Sequence, residues 1–143
     1  MSKIILERKS GSYGFEAMDE QGHIVLTDSS SENGGLDSGI RPMQLMLVAL
    51  GSCSAIDLVS ILLKQKQRID GFRIEIDGER EKAVIPSLWK EVHISYLLSG
   101  QVDPEKLEKA AALSMEKYCS VAETMRRAGC VITWKTAVLT PVN

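Results

Sequence analysis

Residues 42–66 read PMQLMLVALGSCSAIDLVSILLKQK, the longest apolar run in the chain, with Cys53 near its middle. The run predicts a helix over 42–67 that is apolar on nearly every face and lies in the core. Pro42 suits the first turn, where a missing N–H costs nothing. Lys64, Lys66 and Arg68 suit the last turn, where positive charge meets the negative end of the helix dipole. Gly71 is the expected turn residue beyond it. The run is also as long as a membrane span. Gln44, Ser52, Ser54, Asp57 and Ser60 lie inside it, and an ionised Asp57 is costly in lipid, so the core reading is preferred. A small domain cannot wrap such a helix alone, which points to a second copy of the chain as part of its cover.

At 143 residues the chain fits one domain, 1–143, with bulk for a core. A net charge of −2 offers no basic field to draw nucleic acid or anionic lipid, and aromatic residues are sparse. Met1–Ser10 has no apolar core segment, so no signal peptide and no membrane partner are expected. Three cysteines, Cys53, Cys119 and Cys130, are too few for a disulfide scaffold. Reduced thiols in the cytoplasm are the expectation. No pair has C-x-x-C spacing, and His23 and His93 lie far from all three, so neither a metal nor a cofactor is expected.

Outward from the central run, KIILER (3–8), 13–18 and HIVLT (23–27) read as strands of a β-meander spanning 1–27, with turns at Ser10-Gly11-Ser12 and Gln21-Gly22. The loop 28–41, DSSSENGGLDSGIR, lacks the spacing and lysine of a phosphate-binding loop and reads as a flexible connection. A β-hairpin is expected over 71–99. Phe72, Ile74 and Ile76 alternate with charged residues on one strand, and Val92, Ile94, Tyr96 and Leu98 share a face on the other. His93 points to the opposite side and reads as a surface residue. Two helices are expected over 103–128. Asp103-Pro104 opens the first, which runs to about Tyr118. Ser120 and Glu123 have capping-box spacing for the second. A final strand, 131–139, closes an α+β fold with antiparallel sheet covered by helices.

A thiol at a helix N-terminus meets the positive end of the dipole and unpaired N–H groups. Cys119 is therefore the better thiolate candidate, with Lys117 close in sequence. Cys53 lies between Ser52 and Ser54, whose hydroxyls could reach its sulfur, and Gly51 leaves room for approach. Free cysteine is also commonly a buried apolar residue. Cys130 follows a helix C-terminus, the wrong dipole end for a thiolate, and reads as structural or incidental. If the second short helix packs its N-terminus on the central helix, Cys53 and Cys119 meet as a peroxidatic and a resolving thiol.

The stretches Arg41–Leu63, with GSCSAID at its heart, and EKYCSV (116–121) resemble the two cysteine motifs of the OsmC/Ohr family, the osmotically inducible and organic hydroperoxide resistance proteins. Its YhfA-like branch is the most similar. The resemblance implies an OsmC-like two-layer fold, an intertwined homodimer with long central helices packed together, and active sites at the subunit interface. It assigns Cys53 as the peroxidatic and Cys119 as the resolving cysteine. It implies organic hydroperoxides as substrates and a dithiol reductant such as a lipoyl protein. Characterised peroxidases of the family place an Arg, held by a Glu, at the reactive thiol. This chain has Met43 at the position of that Glu and Gln44 one residue later. Arg8 and Arg41 are its only arginines before the helix. Arg41 and Gln44 are therefore the candidate supporting residues. A thiolate without a cationic partner in an apolar setting has a raised pKa and reacts slowly.

Two other readings compete with the peroxidase. The same dimer can be a non-catalytic module that binds an apolar small molecule or reports thiol redox state. Alternatively, GSCSA (51–55) is a nucleophile elbow with Cys53 as nucleophile, but His93 is the only downstream histidine and the chain is short for that fold.

Overall fold

A computed structural model describes residues 1–140. The chain forms two compact units, Met1–Met46 and the part from Leu47 onward. In the N-terminal unit β1 (Ile5–Ser10), β2 (Gly14–Met18) and β3 (Ile24–Thr27) form an antiparallel meander. Its apolar side chains are poorly covered: Ile5, Leu6, Ile24, Val25 and Leu26 are all exposed.

The loop after β3 is not the plain flexible connection its composition suggests. Asp28 is buried, and its carboxylate accepts from the backbone N–H groups of Ser29, Leu36 and Ser38 and from the Ser38 hydroxyl at 2.7–3.2 Å. These donors, the Ser38 hydroxyl foremost, hold its pKa down at about 2. A buried carboxylate satisfied in this way folds the Ser/Gly-rich segment around itself. A single 3-10 turn, Ser31–Asn33, sits inside the loop.

Helix α1 runs Pro42–Lys64. The Gln44 side-chain oxygen accepts the Arg41 backbone N–H at 3.2 Å, as the third residue of a helix does when it reaches back to the cap. At the other end Lys66 turns the chain with a left-handed φ of 59°, while the expected turn residue Gly71 lies inside a strand. Gln67 N–H closes onto the Leu62 carbonyl, so the helix ends in a Schellman-type cap that needs no glycine.

The second unit is two-layered. β4 (Arg68–Arg80) and β5 (Trp89–Gln101) pair antiparallel, and β6 (Val131–Val138) joins β5 in parallel. The sheet is thus mixed where wholly antiparallel pairing was expected. The physical reason lies between the strands. α2 (Pro104–Leu113), a π-helical turn (Ser114–Tyr118) and α3 (Ser120–Arg127) make the long crossover that a parallel neighbour requires. One sheet face carries the core: Val92, Ile94, Tyr96 and Leu98 from β5 pack with Leu50, Leu58 and Leu62 of α1 and with Leu107, Met115 and Met125.

α1 is long and apolar enough to cross a membrane by length and composition, yet only 28% of its most apolar window is buried. Leu50, Gly51, Ser54, Leu58 and Leu62 form the covered stripe. Met46, Val48, Ile56 and Leu63 are exposed. The expected full burial is met on one side only.

Candidate functional site

The site is built on the covered stripe of α1. Gly51 lets the helix approach β4 closely: a Cβ there would lie 2.7 Å from Ile76 Cδ1. Two residues on, Cys53 is half-buried and packs against the core cluster. The flanking serines do not serve its sulfur. Ser52 Oγ donates to the Val48 carbonyl at 2.8 Å. Ser54 Oγ donates to the Leu50 carbonyl at 2.9 Å and accepts from the Tyr96 hydroxyl at 2.7 Å. Mid-helix serines commonly bond the carbonyl one turn back, which is why both turn away from the thiol.

Cys119 arrives from the crossover. It is the N-cap of α3, and its sulfur accepts the Ala122 backbone N–H at 3.4 Å. The cap is this sulfur rather than the expected Ser120–Glu123 box, since Glu123 pairs with Arg126 and Arg127 at 3.2 and 2.9 Å. Cys119 is 3% exposed and belongs to the core cluster against which Cys53 packs, and the Cys53 thiol is among the groups that raise its pKa. The two cysteines thus meet through the packing of a short helix's N-terminus on the long helix.

The electrostatics of Cys119 run against the expected thiolate. Burial pushes its thiol up to about 11, and the neighbouring Cys53 thiol adds to the rise. The Ala122 and Val121 N–H groups oppose this and are outweighed. Desolvation of an anion exceeds what one short helix terminus returns. Lys117 supplies no charge inward: it is exposed, with Nζ 5.4 Å from the Tyr118 ring centroid. Cys130 is buried, its thiol also pushed up by burial, and its sulfur is 3.8 Å from the Val131 carbonyl oxygen.

Around the pair stand polar groups that sequence reasoning did not assign. Ser114 Oγ, fully buried, donates to Asp57 Oδ2 at 2.8 Å. The Tyr96 phenol donates to Ser54, and burial raises its pKa well above the usual tyrosine range, with Cys119, Asp57 and Cys53 adding to the rise. The available signal was polarity inside an apolar run: Ser54 and Asp57 interrupt residues 42–66, and a buried polar side chain needs a partner. An open cleft of about 420 Å³ borders Cys119, with Lys117, Tyr118, Ser120 and Glu123 in its walls.

The other two candidates belong to the N-terminal unit. Arg41 pairs with the Asp37 carboxylate and donates to the Gly39 carbonyl at 2.9 Å. Gln44 caps the Arg41 N–H, as above. The structure brings Cys53 and Cys119 together, and joins Arg41 and Gln44 to each other at the start of α1.

The model of the family described as OsmC-like protein matches residues 35–135, a span that holds both cysteine segments. The chain belongs to the OsmC-like family. Its relative in Escherichia coli K12, Protein YhfA, is 35% identical over 108 residues, covering 75% of this chain and 77% of that protein. The crystal structure of a hypothetical protein from Aquifex aeolicus is 30% identical, with a TM-score of 0.80 and 98% of each chain covered. An organic hydroperoxide resistance protein OsmC from Legionella pneumophila shares the fold at 14% identity, with a TM-score of 0.72 over 96% of this chain and 97% of that one. The α+β architecture anticipated from the order of strands and helices is the OsmC-like fold that the cysteine motifs resemble.

Proposed function

We propose that this OsmC-like chain is a dithiol peroxidase that reduces organic hydroperoxides, with Cys53 as the attacking and Cys119 as the resolving thiol. The observation that carries the reading is that one core cluster gathers these two thiols, Cys53 from α1 and Cys119 from the cap of α3. The Cys53 thiolate attacks the peroxide O–O bond. The alcohol leaves with a proton, and Cys53 becomes a sulfenic acid. Cys119 then gives up its proton and bonds to the Cys53 sulfur. The S–O bond breaks, hydroxide leaves as water, and a disulfide remains. An external dithiol, of which a lipoyl protein is the family's example, returns both thiols.

The working unit in this proposal is a cytoplasmic homodimer. Its support is the uncovered apolar surface on each unit: Ile5, Leu6, Ile24, Val25 and Leu26 on the meander, and Met46, Val48, Ile56 and Leu63 on α1. Exposed apolar side chains in such number suit an interface. Within the N-terminal unit the Asp37 carboxylate holds Arg41, and Gln44 accepts the Arg41 backbone N–H.

The test is mass spectrometry of the reduced protein after one equivalent of an organic hydroperoxide, with hydrogen peroxide in parallel. Rapid loss of two hydrogens mapped to Cys53 and Cys119, faster with the organic substrate, is the expected result. Thiols that stay open to alkylation refute it. A second reading, a non-catalytic redox sensor or apolar-ligand module, is favoured by the raised Cys119 pKa, which slows resolution at neutral pH. Bound lipid with unreactive thiols would establish that reading instead.

A further inference from the structure

Among the groups of the site that the mechanism above leaves unused is a carboxyl inside α1. Asp57 lies one turn beyond Cys53 on α1, on the same side of the helix, inside the longest apolar run of the chain. A carboxylate there is expensive to keep unless it is hydrogen-bonded. Its partner is Ser114, which is fully buried and donates to Oδ2 at 2.8 Å.

Ser114 links two elements through its hydroxyl and its carbonyl. Its hydroxyl reaches α1, and its carbonyl accepts the Cys119 N–H at 2.7 Å, the bond that closes the π-helical turn. One residue therefore ties the backbone of Cys119 to the helix that carries Cys53. Disulfide geometry is narrow, with Cα atoms about 4.4–6.8 Å apart and a fixed torsion, so the placement of Cys119 decides whether the bond can close. π-helical turns within α-helical segments concentrate at functional positions, which suits such a role.

We propose that Asp57, acting through Ser114, is a positioning residue that holds Cys119 in register for bonding to Cys53. It does not touch the reacting sulfurs. It fixes the strand of backbone from which one of them is presented, and so sets the effective concentration of the second thiol. The proposal rests on the pairing of the two cysteines proposed above, but not on the peroxide as oxidant.

The test uses the full chain in mixtures of reduced and oxidised glutathione. Two successive exchanges form the Cys53–Cys119 disulfide and release two molecules of reduced glutathione for each oxidised one consumed. The fraction of disulfide, read by alkylation and mass spectrometry, gives the effective concentration of the thiol pair. Ser114→Ala and Asp57→Ala each lower it about tenfold, the weight of one buried hydrogen bond. Asp57→Asn, whose amide oxygen still accepts from Ser114, stays within about threefold of the parent chain. The double variant Ser114→Ala/Asp57→Ala falls no further than either single one. Ser114→Ala removes one oxygen, and its melting temperature in the reduced form is measured alongside. A purely structural role would move that temperature and leave the effective concentration alone.

An unchanged effective concentration in Ser114→Ala overturns the proposal. So does an Asp57→Asn protein as impaired as Asp57→Ala, or a parent chain that forms no disulfide at any glutathione ratio. If glutathione gives the expected series while hydroperoxide leaves the thiols untouched, the peroxidase reading falls and this one stands.

Discussion

The hydrogen bond from the Tyr96 hydroxyl to Ser54 Oγ, 2.7 Å long and buried, gives two unequal ways to break one interaction. Tyr96→Phe removes the donor. Ser54 keeps its own donation to the Leu50 carbonyl, so the loss is one net hydrogen bond, about 1 kcal/mol. Ser54→Ala removes the acceptor and leaves a phenol hydroxyl sealed against water with its partner gone. An orphaned buried donor costs about 1–3 kcal/mol. Alanine's better helix propensity returns about 0.5 kcal/mol, because the serine is mid-helix. Ser54→Ala should therefore cost about 1.5 kcal/mol, roughly one and a half times Tyr96→Phe. At about 2–4 °C per kcal/mol for a chain of this size, the melting temperature falls about 3–6 °C against about 2–4 °C. The double variant has no orphan and should cost little more than Tyr96→Phe alone, a coupling of about 1–2 kcal/mol. Urea unfolding of the four proteins under reducing conditions supplies the cycle. Additive losses, or a Tyr96→Phe protein less stable than Ser54→Ala, would refute the argument.

Other consequences are equally open to measurement. The folded chain holds the Cys119 proton longer than the unfolded one, which releases it near the ordinary value of 9.0. The stability this thiol contributes is complete below about pH 9 and is lost as pH rises through about 11; melting curves across that interval check it. If Cys119 resolves the sulfenic acid, disulfide closure should quicken about tenfold per pH unit from 7 to about 10 in stopped-flow traces, since only the thiolate attacks. Asp28, held down at about 2 by its four donors, keeps its loop closed above the usual carboxylate range. Asp28→Ala should raise hydrogen exchange and proteolysis across 28–41 while leaving amides of the second unit protected. Ile56 is 68% exposed in one copy of the chain. Ile56→Asp should change monomer stability by less than about 0.5 kcal/mol, but should abolish self-association in sedimentation if a second copy covers α1.

Much of the fold could be read directly from local signals. Alternation fixed β4 and β5, because one side of that sheet is buried and the period is two. Asp103-Pro104 marked the start of α2 within a residue. Pairing partners were less legible: parallel β5–β6 depends on how the crossover packs, which no stretch of β6 encodes by itself. The thiol pair was visible through two motifs. The state of Cys119 was not, because a helix terminus is a local feature and burial is not. The polar frame of Ser54–Tyr96 and Asp57–Ser114 joins residues distant in sequence, so each half looked like an isolated oddity in an apolar segment. Likewise Asp28 gave no periodic signal, yet it organises its loop through donors up to Ser38.

The π-helical turn before Cys119 holds one residue more per hydrogen-bonded ring than the helix that leads into it. Successive residues of an α-helix are rotated by about 100°, so removing one exposed residue, such as Glu116, would let the segment relax to ordinary pitch and swing the thiol to another side. A descendant of this chain could thus keep both cysteines, every strand and the whole core, yet lose the meeting of the two sulfurs through a single-codon deletion. For a chain of this family, counting cysteines is therefore a weaker guide to dithiol chemistry than counting the residues between Ser114 and Cys119.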